Sequence, residues 1–208
     1  MPIQDGKTSV GIKNLKYWLM TTEEDYETAP TYDSKPTDIA DVININMQPS
    51  GGISQLEASD RISEIVSYKG MVTLSINSQE MPLKVRAALL GNEYDKETGV
   101  LTDKITDAPP YFALGFDATD SNGNSKSYVF YKCKASVMTQ NFQTLTQNGV
   151  NWATPQFTIT AIGRRNDGVT YRTCAPGSNA QDTWFKATPY EPSPSTESRS
   201  QGTEPQSE

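Results

Sequence analysis

The chain has 208 residues, with 18 Lys and Arg against 25 Asp and Glu, a net charge of −7 and no histidine. That length fits one domain with appendages, or at most two small domains. Without His, a Ser-His-Asp triad, a Cys-His dyad and a His-ligated metal site are excluded, and an acidic chain does not grip nucleic acid by releasing phosphate counterions.

The elements are mostly strands. Val10, Ile12 and Leu15 lead into Tyr17-Trp18-Leu19-Met20, an early strand. Thr21 to Ala40 reads as a long irregular segment, carrying Glu23, Glu24, Asp25, Glu27, Asp33 and Asp38 against Lys35 alone. Asp41 to Met47 alternates, with Ile43, Ile45 and Met47 on one face and Asn44 and Asn46 on the other. Such two-residue alternation marks a strand with one buried face. Gln48 to Lys69 opens on Pro49-Ser50-Gly51-Gly52, is mostly polar, and reads as a second long loop. Loops of that length tend to be functional or disordered. Gly70 to Asn77 alternates again, with Val72, Leu74 and Ile76 opposing Thr73 and Ser75.

One helix is predicted next. Ser78 caps it, Glu80 lies in its first turn, and Pro82 is early enough to be tolerated. Met81, Val85, Ala88 and Leu89 form its core-facing stripe, and Gly91 stands where a left-handed terminal residue is wanted. Phe112, Leu114 and Phe116 then share a strand face, and Asn122-Gly123 turns the chain into Tyr128-Val129-Phe130-Tyr131. A second hairpin is expected from Gln156 to Ile162, through Asp167-Gly168, back along Val169 to Thr173. From Pro189 the composition shifts to Pro, Ser and Glu, with four Glu against one Arg, which reads as a flexible acidic tail. The expected division is therefore 1–175 as the β-domain, 176–188 as an extension and 189–208 as the tail.

Little in this pattern carries chemistry. Glu23, Glu24 and Asp25 are acidic enough for a hydrolase, but they sit on an expected loop without a facing carboxylate; a solvated charge run is the reading adopted. Their spacing lacks the calcium-loop pattern. Gly51-Gly52 lacks the Lys and the strand-to-helix context of a phosphate cradle. Arg164-Arg165 reads as a soluble strand end. Trp152 and Trp184 read as packing anchors, the alternative being a carbohydrate-binding β-sandwich that decorates a tail. Cys133 and Cys174 are the only cysteines; with no secretion signal visible and no run of about 18 apolar residues, two reduced, packed thiols and no membrane span are expected. No catalytic residue, cofactor or metal ligand is expected.

Several pieces together resemble a known family. They are Gly11-Ile12-Lys13-Asn14-Leu15-Lys16-Tyr17, Thr31-Tyr32-Asp33, the strand to Met47, the polar segment after it, and Pro82-Leu83-Lys84-Val85-Arg86-Ala87-Ala88-Leu89-Leu90-Gly91. Ala108-Pro109-Pro110-Tyr111-Phe112-Ala113-Leu114-Gly115-Phe116, Tyr128 to Lys132, Phe157 to Thr160 and Arg164 to Gly168 follow in order. From about residue 8 to about 175 the chain resembles the major tail protein family of long, non-contractile-tailed phages of Gram-positive bacteria.

The resemblance implies a structural virion protein, made in the host cytoplasm. Its expected fold is mainly β, a β-sandwich or half-barrel flanked by one α-helix. Six copies are expected to form a ring, rings to stack into the DNA-conducting tube, and a tape-measure protein and other tail proteins to be further partners. It also implies that the segment after the second strand reaches a neighbouring subunit or ring, which makes Pro49, Ser50, Gly51, Gly52, Ile53, Leu56, Arg61 and Ile65 the contact candidates. Asn44, Asn46, Thr73 and Ser75 are the candidates for facing the lumen, past which DNA moves without specific binding.

Overall fold

A computed structural model describes residues 8–192 other than 40, 59, 137 and 145–151. Of the flexible tail expected from Pro189 to Glu208, residues 193–208 lie outside the described residues, whereas Pro189 is buried, Tyr190 stacks on Trp184 and Glu191 pairs with Arg164, so the chain stays packed to there. The fold is mainly β with one helix, built on a large antiparallel sheet that does not close into a barrel.

The sheet begins with β1 (Ser9–Thr22). Its register slips between Lys13 and Lys16, where Asn14 takes a positive φ of 58°. Leu15 and Tyr17 then face the main core, and Trp18 faces the opposite side of the sheet. Two short strands from the acidic segment, β2 (Thr31–Tyr32) and β3 (Thr37–Asp38), pair with β1. The stretch expected to be irregular is thus partly laid along a sheet edge.

Strands β4 (Val42–Ala58) and β5 (Arg61–Ser78) form one continuous antiparallel pair. This corrects the expected loop from Gln48 to Lys69: Pro49, Ser50, Gly51, Gly52, Ile53, Leu56, Arg61 and Ile65 all lie in strands. The prolines and glycines that suggest a break are accommodated inside the pairing. A register shift lies between Pro49 and Gly51. Gly52 faces Tyr68, whose hydroxyl would lie 2.5 Å from any Cβ at that position, so the aromatic ring covers the space only a glycine leaves. A bulge at the start of β4 corrects a second expectation. Val42 pairs with Ser78 and Asn44 with Asn77, so two steps on β4 meet one on β5. The extra residue throws Ile43 outward, to 54 % exposure, while Ile45 and Met47 keep the core side.

The helix α1 (Leu83–Leu90) follows. Pro82 occupies its N-cap position without a side-chain bond, and Ser78 is the buried last residue of β5, so the expected Ser cap is replaced by a proline start. Met81, Val85 and Leu89 are buried in the core and Ala88, half-buried, packs against it; Ala87 is buried as well. Gly91 ends the helix at φ 75°, and a Cβ there would lie 2.4 Å from the Ala108 carbonyl oxygen. A small hairpin of β6 (Glu93–Tyr94) and β7 (Leu101–Thr102) leads onward.

The centre of the sheet is β8 (Phe112–Asp120) paired with β9 (Ser125–Ala135), the hairpin expected around Asn122-Gly123. The last strands are β10 (Gln156–Ile162) and β11 (Tyr171–Cys174). They do not form the expected hairpin with each other. Both run antiparallel to β9, Ile162 beside Lys132 and Tyr171 beside Phe130. They are one interrupted strand, and residues 163–170 are an excursion closed by the Arg164 amide donating to the Val169 carbonyl at 3.1 Å.

The sheet order is β2-β1-β8-β9-β10-β5-β4, with β3 on β1 and β11 on β9. The sheet curls so that β1 comes near β4 across the core, giving a half-barrel. Inside lie Tyr17, Leu74, Ile76, Phe112, Leu114, Phe130, Phe157 and Ile159, all buried, capped by α1. Cys133 and Cys174 are free, buried thiols.

One ion pair pins the acidic segment down. Glu24 was expected on a solvated charge run, yet its carboxylate is buried and lies 2.5 Å from Lys132 Nζ, with the Arg165 amide donating to the same oxygen at 3.1 Å. Burial pushes the Glu24 pKa up, but the Lys132 hydrogen bond and the backbone amides outweigh it and hold it below the ordinary glutamate value. Glu23 and Asp25 are exposed, and Asp25 accepts bonds from the Glu27 and Thr28 amides of its own turn.

Replacing Lys132 by Met leaves the Glu24 charge buried and unpaired, and should cost about 3–5 kcal/mol in urea unfolding at pH 7. The Glu24→Gln variant tests the pH sense. Because the folded pKa is lowered, the contribution of Glu24 is present above its ordinary value and fades as pH falls through the folded one. The gap between wild type and Glu24→Gln should therefore narrow on acidification; a gap that widens would contradict the assignment. Gly91→Ala should cost about 1–2 kcal/mol or more, from the positive φ together with the Ala108 clash, read as a drop in unfolding midpoint.

Candidate assembly surfaces

The outer face of the half-barrel is divided in two. Over β4, β5 and β10 it is open. Three cross-strand rows cover it: Asn44, Asn77 and Gln156; Asn46, Ser75 and Thr158; Gln48, Thr73 and Thr160. All nine are amides or hydroxyls, half-buried or exposed, and none carries a charge. Asn77 Nδ2 donates to Asn44 Oδ1 at 3.2 Å. The structure thus brings Asn44, Asn46, Thr73 and Ser75 together on one face and adds five residues to them. Their partners across β10 were hard to find from sequence, since alternation alone does not say which strands are neighbours.

Over β1, β8, β9 and β11 the same face is covered by the chain after Cys174. A single 3₁₀ turn, Gln181–Thr183, positions Trp184. Trp184 is 2 % exposed and stacks on Tyr190 at 4.5 Å. Phe185 stacks on Trp18 at 6.1 Å, and Trp18 Nε1 donates to the Ala187 carbonyl at 2.6 Å. Tyr131 donates its hydroxyl to the Tyr190 carbonyl. Arg164, 3 % exposed, pairs with both Asp167 and Glu191 and lies 4.2 Å above the Tyr131 ring. Burial lowers the Arg164 pKa, but the two carboxylates outweigh that and raise it, so it stays charged. Arg164 is therefore a clasp between the 163–170 excursion and the C-terminal segment, where sequence reading had only a soluble strand end. Trp184 is a packing anchor, and Trp152 is 82 % exposed.

The third surface is the ribbon made by β4 and β5 beyond Pro49. It stands clear of the sheet, and its described side chains are exposed except for the partly covered Gly52. Ile53, Ile62 and Ile65 lie on one side of it, at 68, 51 and 59 % exposure. Leu56, Val66 and Tyr68 lie on the other, at 59, 54 and 62 %. Six large apolar side chains exposed together on one ribbon are more than the scattered single ones of an ordinary surface, and mark an interaction site. Arg61 stands at the tip beside Asp60, which takes φ 59°.

No group of three acidic or cysteine residues among the described residues is placed to hold a metal ion. No helix among them is long and apolar enough to cross a membrane.

Residues 28–186 match the family described as phage tail tube protein. No curated protein matches in sequence. Among solved structures, the chain is similar to one in the anti-feeding prophage baseplate, with 7 % identity, a TM-score of 0.40, and coverage of 83 % of this chain and 97 % of that one. It is similar to a chain of the anti-feeding prophage tube-terminating cap, with 8 % identity, a TM-score of 0.35, and coverage of 83 % and 96 %. Hcp1 from Flavobacterium johnsoniae aligns with 14 % identity, a TM-score of 0.31, and coverage of 70 % and 87 %. With the family match spanning well over half of its length, the chain belongs to the phage tail tube protein family.

Proposed function

We propose that this tail-tube subunit, a structural and non-enzymatic virion protein, joins copies of itself through the β4–β5 ribbon into stacked rings around a DNA-conducting lumen. The observation that carries the reading is the ribbon itself, apolar on both sides and left uncovered by the described residues. A two-stranded ribbon alone is marginally stable in water, so covering both sides by neighbours supplies what the monomer lacks. Pro49, Ser50, Gly51 and Gly52 form its root, and Ile53, Leu56, Arg61 and Ile65 belong to its reaching part.

The uncharged rows through Asn44, Asn46, Thr73 and Ser75 support a lumen-facing role for that face. Amides and hydroxyls hold water, and offer passing phosphates neither a cation to bind nor an anion to repel. The net charge of −7 therefore need not sit in the lumen. Six copies per ring, a tape-measure protein and other tail proteins as partners, and a long non-contractile tail on a Gram-positive host all rest on the family resemblance. The free edge strand β4 supports sheet continuation into a neighbour, since a ring removes unpaired edges.

Replacing residues 51–69 by an Asn-Gly turn should leave the unfolding midpoint near wild type and abolish rings and tubes in negative-stain electron microscopy. Normal tubes from that variant would overturn the ribbon's role. Changing Ser75 and Thr158 to Lys should leave tubes intact but slow DNA release from particles, and make it faster again with added salt. Release that is indifferent to the substitutions would remove these rows from the lumen.

A further inference from the structure

Where the chain after Cys174 crosses the sheet it leaves a cavity of about 380 Å³ against β11, within the roughly 300–1,000 Å³ of small-ligand sites. Arg172, Cys174, Ser178, Trp184, Tyr190 and Pro192 are among the residues that line it. Cys174 ends β11 beside Ser127 of β9, and its Sγ lies 2.7 Å from Ser178 Oγ and 3.6 Å from the Ala175 carbonyl oxygen. Trp184 and Tyr190 supply a wall of stacked rings. The Trp184 indole also carries a donor that the fold does not use: Nε1 is buried and has no hydrogen-bond partner among the described residues. A buried N–H left unpaired is costly, so this wall of the cavity lacks an acceptor.

We propose that Cys174 is a modification site: it exchanges with small disulfides that bear a carboxylate, and holds the carboxylated half in this cavity as a mixed disulfide. The thiol gives up its proton to solvent, and the Ser178 hydroxyl donates to the thiolate that remains. That sulfur bonds to one sulfur of the reagent as the reagent's S–S bond breaks. The other half leaves as a thiolate and takes up a proton. The Cys174 sulfur is oxidised and the departing sulfur is reduced, so the disulfide itself is the only oxidant required.

The lining selects this reagent. Arg172 and Trp184 can only donate hydrogen bonds, and an ionised carboxylate can only accept them. The stacked rings and Pro192 meet the hydrocarbon part of the adduct. Cys133 does not compete. It is fully buried in the main core, and burial pushes its thiol above the ordinary value, away from the reactive thiolate. The redox setting agrees as well. A virion component leaves the reducing cytoplasm of its host on release, so Cys174 stays a thiol during assembly and meets disulfides afterwards. The adduct then lies against the Trp184 and Tyr190 rings that anchor the C-terminal segment over the sheet.

The test uses full-length, folded protein treated with dithiodiglycolate, which bears carboxylates, or with cystamine, which bears amines in their place. Intact mass and peptide mapping should show a single adduct, on Cys174 and not on Cys133, that a reducing agent removes. After each rate is divided by that of the urea-unfolded chain, dithiodiglycolate should react about tenfold faster than cystamine. Reaction by way of global unfolding would instead modify both cysteines and show no such preference. Trp184→Phe, which keeps a ring and loses the N–H, and Arg172→Gln should each lower the preference. A folded protein that resists dithiodiglycolate, reacts equally at Cys133 or shows no preference for the carboxylate overturns the proposal, as does a preference that survives both substitutions. The adduct is read on the free subunit, so the result does not depend on tube formation.

Discussion

The molecule is organised around one antiparallel pairing that changes its surroundings along its length. From Val42 to Gln48 and from Thr73 to Ser78, β4 and β5 have a core behind them, so period-two alternation sorts apolar residues inward and amides outward. Beyond Pro49 the same pairing continues with none of the described residues behind it. There both sides of the ribbon are equivalent with respect to the protein's own core, and apolar residues occur on both. One set of backbone hydrogen bonds thus builds the core wall, the uncharged open face and the arm. Any displacement of β5 against β10 would carry all three with it.

The rest of the structure keeps that wall in place. A half-barrel has two faces to satisfy, and the outer one over β8 and β9 would expose Trp18, Val129 and Tyr131. The segment after Cys174 removes that exposure with Trp184, Phe185 and Tyr190, while Arg164 ties its end to the 163–170 excursion through Glu191. On the other flank, Lys132 is the point where the acidic segment is fixed. Its ammonium meets the Glu24 carboxylate and also lies 4.6 Å above the Tyr111 ring. Two buried cations, one on each flank, are compensated by acids: Lys132 by the distant Glu24, and Arg164 by the neighbouring Asp167 together with Glu191.

How much of this was legible in the sequence depends on whether a signal is local. Val72, Leu74 and Ile76 betray their strand because a core lies behind them, and Gly91 betrays the helix end because only a residue without Cβ tolerates its φ. The ribbon escapes the same reading. Ile53, Leu56, Ile62, Ile65 and Val66 follow no single-face pattern, and Pro49, Gly51 and Gly52 look like breaks when their partner Tyr68 is not in view. Ile43 was assigned to the wrong face because a bulge is one extra residue, which alternation cannot count. The β10–β11 error has another source: Asp167-Gly168 does turn the chain, but the turn returns it to β9 instead of to β10. Glu24 looks like a surface charge because its partner Lys132 lies 108 positions away, and Arg164 because Glu191, which ties it to the C-terminal segment, lies 27 positions away.

The arm also poses a solubility problem that its sequence addresses. Six exposed apolar side chains on an unsupported strand pair invite edge-to-edge association in any register. Here charges interrupt them: Glu57, Asp60, Arg61 and Glu64 surround the tip, Lys69 marks the root, and a register shift between Leu56 and Glu57 bends the ladder. Charged interruptions of this kind disfavour pairing with an arbitrary strand. They cost little where the partner is an uncharged surface that leaves them at the solvated rim. The same residues that keep the free subunit apart from its copies thus allow one mode of contact and penalise the others, so that growth at a tube end is favoured over aggregation.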